Sequence, residues 1–353
     1  MNTGTPRAPD GGPVDRVVIV MLSALGDAVH VLPVATALKR FAPGVKLSWI
    51  IQPGPAALVS GHPAVDEFII FERSRGWRGY LELRRRLQGR RFDVALTLQP
   101  YFKAGLITAM LDARVKIGVD FARSKDFNWL FTTHRLPPRP LGHIQDQFFE
   151  FLDVLGVSHG APEWQLEPTV AEREQARAVI AGSGRPLVGL VVATSKARKN
   201  WLPERYAELA SRLAASRGAA FVMLGAETPY ERAAADLIRS GSGPAHLIDA
   251  LGIGLRVTLG LLKECDVVVS PDTGPYHMCV AMGVPVVGLF GYTNPRRVGP
   301  RGRFSDLLVD AYGDPGEDYP ISTRYRTGRM ERITVEAVAG KVELALDRYQ
   351  RER

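Results

Sequence analysis

The chain has 353 residues, of which 46% are hydrophobic and 23% charged, and a formal net charge of +8. That length predicts two domains of ordinary size, and no apolar run approaches the roughly 20 residues of a membrane span. The two cysteines, Cys265 and Cys279, lie in apolar segments without metal-ligand spacing, which predicts buried thiols, a reducing compartment and a cytoplasmic location.

Residues 1–15, MNTGTPRAPDGGPVD, are polar, rich in Gly and Pro, and lack the apolar core of a signal peptide; a loose, disordered tail is expected. RVVIVML (16–22) reads as the first strand and residues 27–43 as a helix ending at Pro43, with Pro33 in or near its first turns. The junction, Ser23-Ala-Leu-Gly26-Asp27, raises a choice. Gly26 lets the chain turn and lets another molecule approach the backbone. Asp27 is either a helix N-cap or a carboxylate displayed at the carboxyl edge of a sheet, where α/β folds place ligands.

Residues 46–52, 67–72, 93–99 and 114–119 are short apolar runs rich in Val and Ile, as expected of strands buried on both faces of a parallel sheet. Between them, RSRGWRGYLELRRRLQGRR (73–91) carries eight arginines against one acid, Glu82. It is either a solvated helix face or a surface that meets phosphates on lipid or glycan. No zinc finger or RNP-type signature is present, so nucleic acid is not an expected partner. Residues 143–156 read as a helix with Gly156 just past its end.

Residues 161–170 are expected to link an N-terminal domain (16–160) to a C-terminal one (171–335). Strand–helix alternation restarts there: strands at 186–194, 219–225, 266–271 and 285–291, and helices at 203–218, 229–241, 256–265 and 276–283. A last amphipathic helix aligns Val335, Val338, Val342, Leu346 and Tyr349. This helix, 336–353, is expected to pack back on the N-terminal domain. The fold class is α/β: two Rossmann-like doubly wound domains, with a ligand cleft expected between the carboxyl ends of their sheets.

Three loops could carry chemistry. In SPDTGPYHMCVAMG (270–283) a strand runs through a tight turn into a helix. Thr273 and Gly274 would offer backbone N–H groups to an anion at the helix N-terminus, Asp272 could accept from a sugar hydroxyl or cap the helix, and His277 falls on the first turn. In ATSKARKNWLPERY (193–206), Thr194 and Ser195 offer hydroxyls, and Lys196, Arg198 and Lys199 offer cations without nearby acids, a set suited to a diphosphate or to a solvated basic loop. In LGAETPYERAA (224–234), Glu227 or Glu231 could hold a ribose or only favour a helix N-terminus. No G-x-G-x-x-G follows the first strand, and no P-loop, metal cluster or G-x-S-x-G elbow occurs.

SALGDAVHVLP (23–33), HPAVDEFI (62–69), SPDTGPYHMCVAMGVPVVGLFGYTNPRRVGP (270–300) and MERITVEAV (330–338) resemble the lipopolysaccharide heptosyltransferases, glycosyltransferase family 9, in matching order from about residue 16 to residue 346. The resemblance implies a GT-B fold and inverting transfer of a heptose from an ADP-linked donor to a saccharide or glycolipid acceptor of lipopolysaccharide core type, without metal or cofactor. It implies Asp27 as general base beside the Gly26 turn. Thr194, Ser195 and Lys199 match the donor-phosphate loop, Asp272, Thr273, Gly274 and His277 the second donor loop, and Glu227 or Glu231 the acid near the ribose. Ser23, His30, Arg84 and Arg85 fall on the acceptor side, where contact with the anionic inner membrane surface is also expected. Met21 departs from the usual Lys or Arg, Gln147 from an Arg, and residues 313–330 lack the cysteines common there. A different nucleotide-sugar or acceptor, an epimerase, and a non-catalytic binding protein on the same fold are the competing readings. The oligomeric state is open.

Overall fold

In a computed structural model describing residues 4–243 and 245–349, the apolar runs form parallel strands in two sheets. The chain divides into two units, Met1–Leu166 and Glu167–Arg353.

The first unit runs β1 (Arg16–Val20), α1 (Leu25–Phe41), β2 (Lys46–Ile51), α2 (Pro53–Val59), β3 (Glu67–Ile70), α3 (Trp77–Leu87), β4 (Arg91–Thr97), α4 (Phe102–Met110), β5 (Asp112–Gly118), β6 (His134–Arg135) and α5 (Ile144–Asp153). Its strands pair in the order β3-β2-β1-β4-β5-β6, all parallel. β1 is central: Ile19 faces Trp49 on one side and Leu96 on the other, and Val17 to Val20 are wholly buried. Helices cover both faces, which is why this strand is apolar without alternation. The order reverses between β1 and β4, so the carboxyl end of β1 lies at the topological switch point, where open α/β sheets take ligands.

The second unit runs α6 (Val170–Val179), β7 (Leu187–Val191), α7 (Pro203–Arg217), β8 (Ala220–Gly225), α8 (Pro229–Gly241), β9 (His246–Leu251), α9 (Leu255–Glu264), β10 (Val267–Pro271), α10 (Gly274–Met282), β11 (Val286–Phe290), α11 (Pro295–Val298), β12 (Leu308–Asp310) and α12 (Val335–Arg348). The order β12-β11-β10-β7-β8-β9 repeats the doubly wound arrangement, with its switch point between β7 and β10.

Several expectations change. Residues 1–3 lie outside the described residues, but the segment from Gly4 to Asp15 is not loose. Gly4 and Arg7 donate backbone bonds to Phe41 and Leu155, Arg114 pairs with Asp10 and donates to Pro13 O, and Ala8 and Val14 are buried. Two small apolar side chains and one arginine are enough to hold a polar segment on the surface. Pro33 sits deep inside α1, where burial among apolar neighbours offsets its missing N–H. Residues 163 and 164 are tied to the first unit, by an Arg40–Glu163 ion pair and by His62 Nε2, 2.8 Å from Trp164 O. α12 packs within its own unit, on α7 and on β10–β12, and the indole N–H of Trp201 donates to Ile333 O (2.9 Å) just before it. Residues 350–353 lie outside the described residues.

Candidate functional site

At the carboxyl end of β1 the helix starts two residues earlier than the sequence suggested. Ala24 is the N-cap of α1, Gly26 is its second residue and Asp27 its third. Asp27 is therefore not the N-cap, and Gly26 does not make the turn, which falls at residues 21–24. Ala24 has no side-chain acceptor, but Asp27 Oδ2 accepts from the Ala24 N–H (3.0 Å), the reciprocal half of a capping box. The carboxylate stays half-exposed in the first turn, at the positive end of the helix dipole.

Gln99, beyond β4, holds this loop from the neighbouring strand. Its Oε1 accepts from Leu22 N–H (3.2 Å) and its Nε2 donates to Ser23 O (2.8 Å). Ser23 and Gln99 line a cavity of about 330 Å³ together with Gln52, Arg73, Tyr101 and Lys103. Sequence reasoning missed Gln99, Arg73 and Lys103 as site residues. Arg73 belongs to the arginine-rich segment that was singled out, but Arg84 and Arg85 stand exposed on α3 and are not among the cavity's lining residues. His30 is buried, with Nδ1 3.2 Å from Gln145 Oε1 and its carbonyl accepting from Gln145 Nε2 (3.0 Å). It ties α1 to α5.

In the second unit, the loops after β7 and β10 meet because those strands are neighbours. Lys199 Nζ donates to Asp272 Oδ2 (2.6 Å) and to Asp272 O (2.9 Å). Thr293 Oγ1 donates to Asp272 Oδ2 (2.8 Å), and His277 Nε2 lies 3.1 Å from Oδ1. Lys199 is therefore not a cation without acids, and Asp272 is not the cap: Thr273 is the N-cap of α10, with no side-chain cap bond, and Gly274 is its first residue. Burial by itself pushes the Asp272 carboxyl up. The bond from His277 and the Lys199 ammonium outweigh it and hold the carboxyl far below the usual carboxylate range. The ammonium has three N–H donors, and two go to Asp272, leaving one for a ligand. Thr293 was missed; the signal was there, in the same GLFGYTNP run that carries β11.

Thr194 and Ser195 serve differently. The Thr194 hydroxyl donates to Lys196 O (2.9 Å) and accepts from Lys196 N–H (3.1 Å), and Thr194 N–H donates to Asn200 Oδ1 (2.7 Å), so this side chain shapes the loop. Ser195 and Arg198 are exposed. Lys196 stands over the Tyr325 ring, 5.1 Å from its centre, and Tyr325 stacks on Tyr292.

The two glutamates differ in burial. Glu231 is buried and accepts from Ala226 N–H (2.9 Å), Thr228 N–H (3.2 Å) and Thr228 Oγ1 (2.6 Å), closing the capping box of α8. Glu227 is exposed beside Arg232 (2.7 Å), with an open flank. Glu231→Ala is expected to lower stability by about 1–3 kcal/mol, the cost of leaving the Ala226 and Thr228 N–H groups without their acceptor. Glu227→Ala should leave the melting temperature unchanged, and thermal melts of the two variants check this.

Among the described residues, no group of three or more His, Cys, Asp or Glu is placed to hold a metal ion, and no helix is long and apolar enough to cross a membrane.

The profile of the family described as "Glycosyltransferase family 9 (heptosyltransferase)" matches residues 80–311. The chain is 30% identical, over 92% of its length and 95% of the relative's, to the lipopolysaccharide core heptosyltransferase OpsX of Haemophilus influenzae. Among solved structures it is similar to a family 9 glycosyltransferase of Veillonella parvula (TM-score 0.80, 22% identity, 94% of this chain and 97% of that one). It is also similar to the E. coli heptosyltransferase WaaC with ADP (TM-score 0.73, 23% identity, 94% and 99%). The two doubly wound units are those of the GT-B fold. By its sequence match along most of its length, the chain belongs to glycosyltransferase family 9, the heptosyltransferases, and is a glycosyltransferase.

Proposed function

We propose that the chain transfers a heptose from an ADP-linked donor to a saccharide of lipopolysaccharide core type, with inversion at the anomeric carbon and without a metal or other cofactor. In this reading Asp27 takes the proton from the acceptor hydroxyl as its oxygen attacks the anomeric carbon, and the bond from that carbon to the diphosphate breaks. Lys199 and the N-terminal N–H groups of α10, at Thr273 and Gly274, meet the charge that develops on the leaving diphosphate. Asp272, fixed by His277 and Thr293, holds the ammonium in place. Glu227 accepts from the ribose hydroxyls.

The observation that carries the reading is the Lys199–Asp272 pair at the mouth of α10. It puts a preorganised cation beside a helix N-terminus at the switch point of the second sheet. The relation to OpsX supports the heptose and the core acceptor, and WaaC, solved with ADP, supports the nucleotide. Another nucleotide-sugar on the same machinery is the second reading, since an adenine held by backbone and apolar groups leaves little trace in sequence.

Calorimetric titration with ADP, GDP, UDP and dTDP is expected to find ADP tightest; equal or better binding of UDP overturns the donor assignment. Incubation with labelled ADP-heptose and a panel of core saccharides is expected to give a glycoside product. Interconversion of the free donor would support an epimerase, and binding without product a non-catalytic protein.

A further inference from the structure

We infer that the outward face of α3 docks on an anionic lipid bilayer. At 100° per residue, Tyr80, Leu83 and Leu87 share one side of α3. Leu83 and Leu87 are buried in the core with Phe71 and Phe92, and the Tyr80 ring packs edge-on against Phe71 at 4.8 Å. The solvent-exposed flank beside that stripe presents Trp77, Leu81 one turn on and Arg84 about a further turn on, and Arg78 and Arg85 stand opposite the core. Trp77 is 69% exposed and Leu81 43%.

The arginines on this side lack acids. Glu82 is taken by Arg75 (2.8 Å) and Glu67 by Arg90 (2.6 Å), whereas Arg78, Arg84 and Arg85 form no ion pair among the described residues. Arg78 instead lies over the Trp77 ring, 5.8 Å from its centre. A face made only for water has no use for an exposed indole and an exposed leucine among unneutralised cations. A headgroup layer satisfies all of them. The indole and leucine enter the acyl boundary, and the guanidinium groups reach lipid phosphates. A nucleic-acid backbone would meet the cations but leave Leu81 in water.

Arg73, at the start of the same segment, lines the cavity beside Ser23 with Lys103. Docking α3 would therefore bring that cavity to the headgroup layer, where a glycolipid carries its saccharide. This deepens the acceptor reading above, but binding to vesicles can be measured without donor, acceptor or turnover.

The test is cosedimentation with vesicles of phosphatidylethanolamine and phosphatidylglycerol, against phosphatidylcholine vesicles and a mixed-sequence RNA duplex. The parent protein should bind the anionic vesicles, and brominated lipid should quench its tryptophan emission. Arg78→Gln/Arg84→Gln/Arg85→Gln should lose on the order of 10²-fold in vesicle affinity, at roughly fivefold per cation near an anionic surface. Its melting temperature and ADP binding should not change. Trp77→Phe should bind but lose most of the bromolipid quenching. The proposal is overturned if the triple variant binds vesicles like the parent, if Trp77→Phe is quenched as strongly, or if the parent binds the duplex and not the vesicles. A triple variant that loses affinity for a soluble acceptor saccharide while keeping the vesicles also overturns it.

Discussion

Asp27→Asn is expected to lower turnover by about 10²–10⁴, the range for a positioned general base. The amide keeps the shape of the carboxylate, and its oxygen can still accept from the Ala24 N–H, 3.0 Å away in the parent. It cannot take a proton from the acceptor. Stability should therefore stay within about 0.5 kcal/mol of the parent, as for a surface change that preserves its bond. Asp27→Ala loses the bond as well, and should cost about 0.5–1 kcal/mol in addition to the same loss of rate. ADP affinity should be unchanged in both variants. A carboxylate that only closes the first turn of α1 gives the opposite pattern: near-normal turnover in Asp27→Asn and lost stability only in Asp27→Ala. Retention of more than about a tenth of the parent rate in Asp27→Asn, short of what acid–base catalysis contributes, rules out the general base.

The second large effect concerns Lys199 and Asp272. Lys199→Ala should weaken ADP binding by about 1.5–3 kcal/mol, the worth of a hydrogen bond to a charged group. The variant should also be less stable, because it leaves the Asp272 carboxylate buried without its cation; breaking such a pair costs about 3 kcal/mol or more. A lysine of a solvated basic loop contributes little to folding. The 2.6 Å contact with a buried carboxylate reverses that expectation. Calorimetry for ADP and urea unfolding separate the two losses. Lost stability with unchanged ADP affinity would make the lysine a structural counter-ion only.

Asp272→Asn gives a pH test of the same pair. The carboxyl is held far below its ordinary value in the folded protein, so the unfolded chain binds its proton first as pH falls. The stability it contributes is complete above the ordinary carboxylate range and is lost as pH drops below it. The difference in unfolding free energy between parent and Asp272→Asn should be constant from about pH 7 to pH 5. It should shrink by about 1.4 kcal/mol per pH unit below about pH 4. A difference that does not narrow in acid would mean that the carboxylate is not stabilised by its charge.

Much of the fold was legible in the sequence because parallel strands covered on both faces must be apolar throughout. Val17–Val20, Leu187–Val191 and Val267–Val269 show it, each wholly or almost wholly buried. The strands that went unread are those where this constraint fails. His246–Leu251 is an edge strand with exposed His246 and Asp249, and Leu308–Asp310 and His134–Arg135 are edges of three and two residues. The loop at Asp272–Gly274 was legible because a turn that enters a helix directly from a strand needs Pro and Gly at fixed places.

What only the tertiary structure decided is partnership between residues far apart in the chain. Lys199 and Asp272 are separated by 73 positions and meet because β7 and β10 are neighbours in the sheet. Gln99 reaches Leu22 across 77 positions because β4 lies beside β1. Glu227 and Glu231 look equivalent in a string of letters. Folding buries Glu231 in the capping box of α8 and leaves Glu227 exposed beside Arg232. Composition and periodicity report which face of an element is buried. They carry no information about which strand lies beside which, and that adjacency sets the charge and the hydrogen bonds of the site.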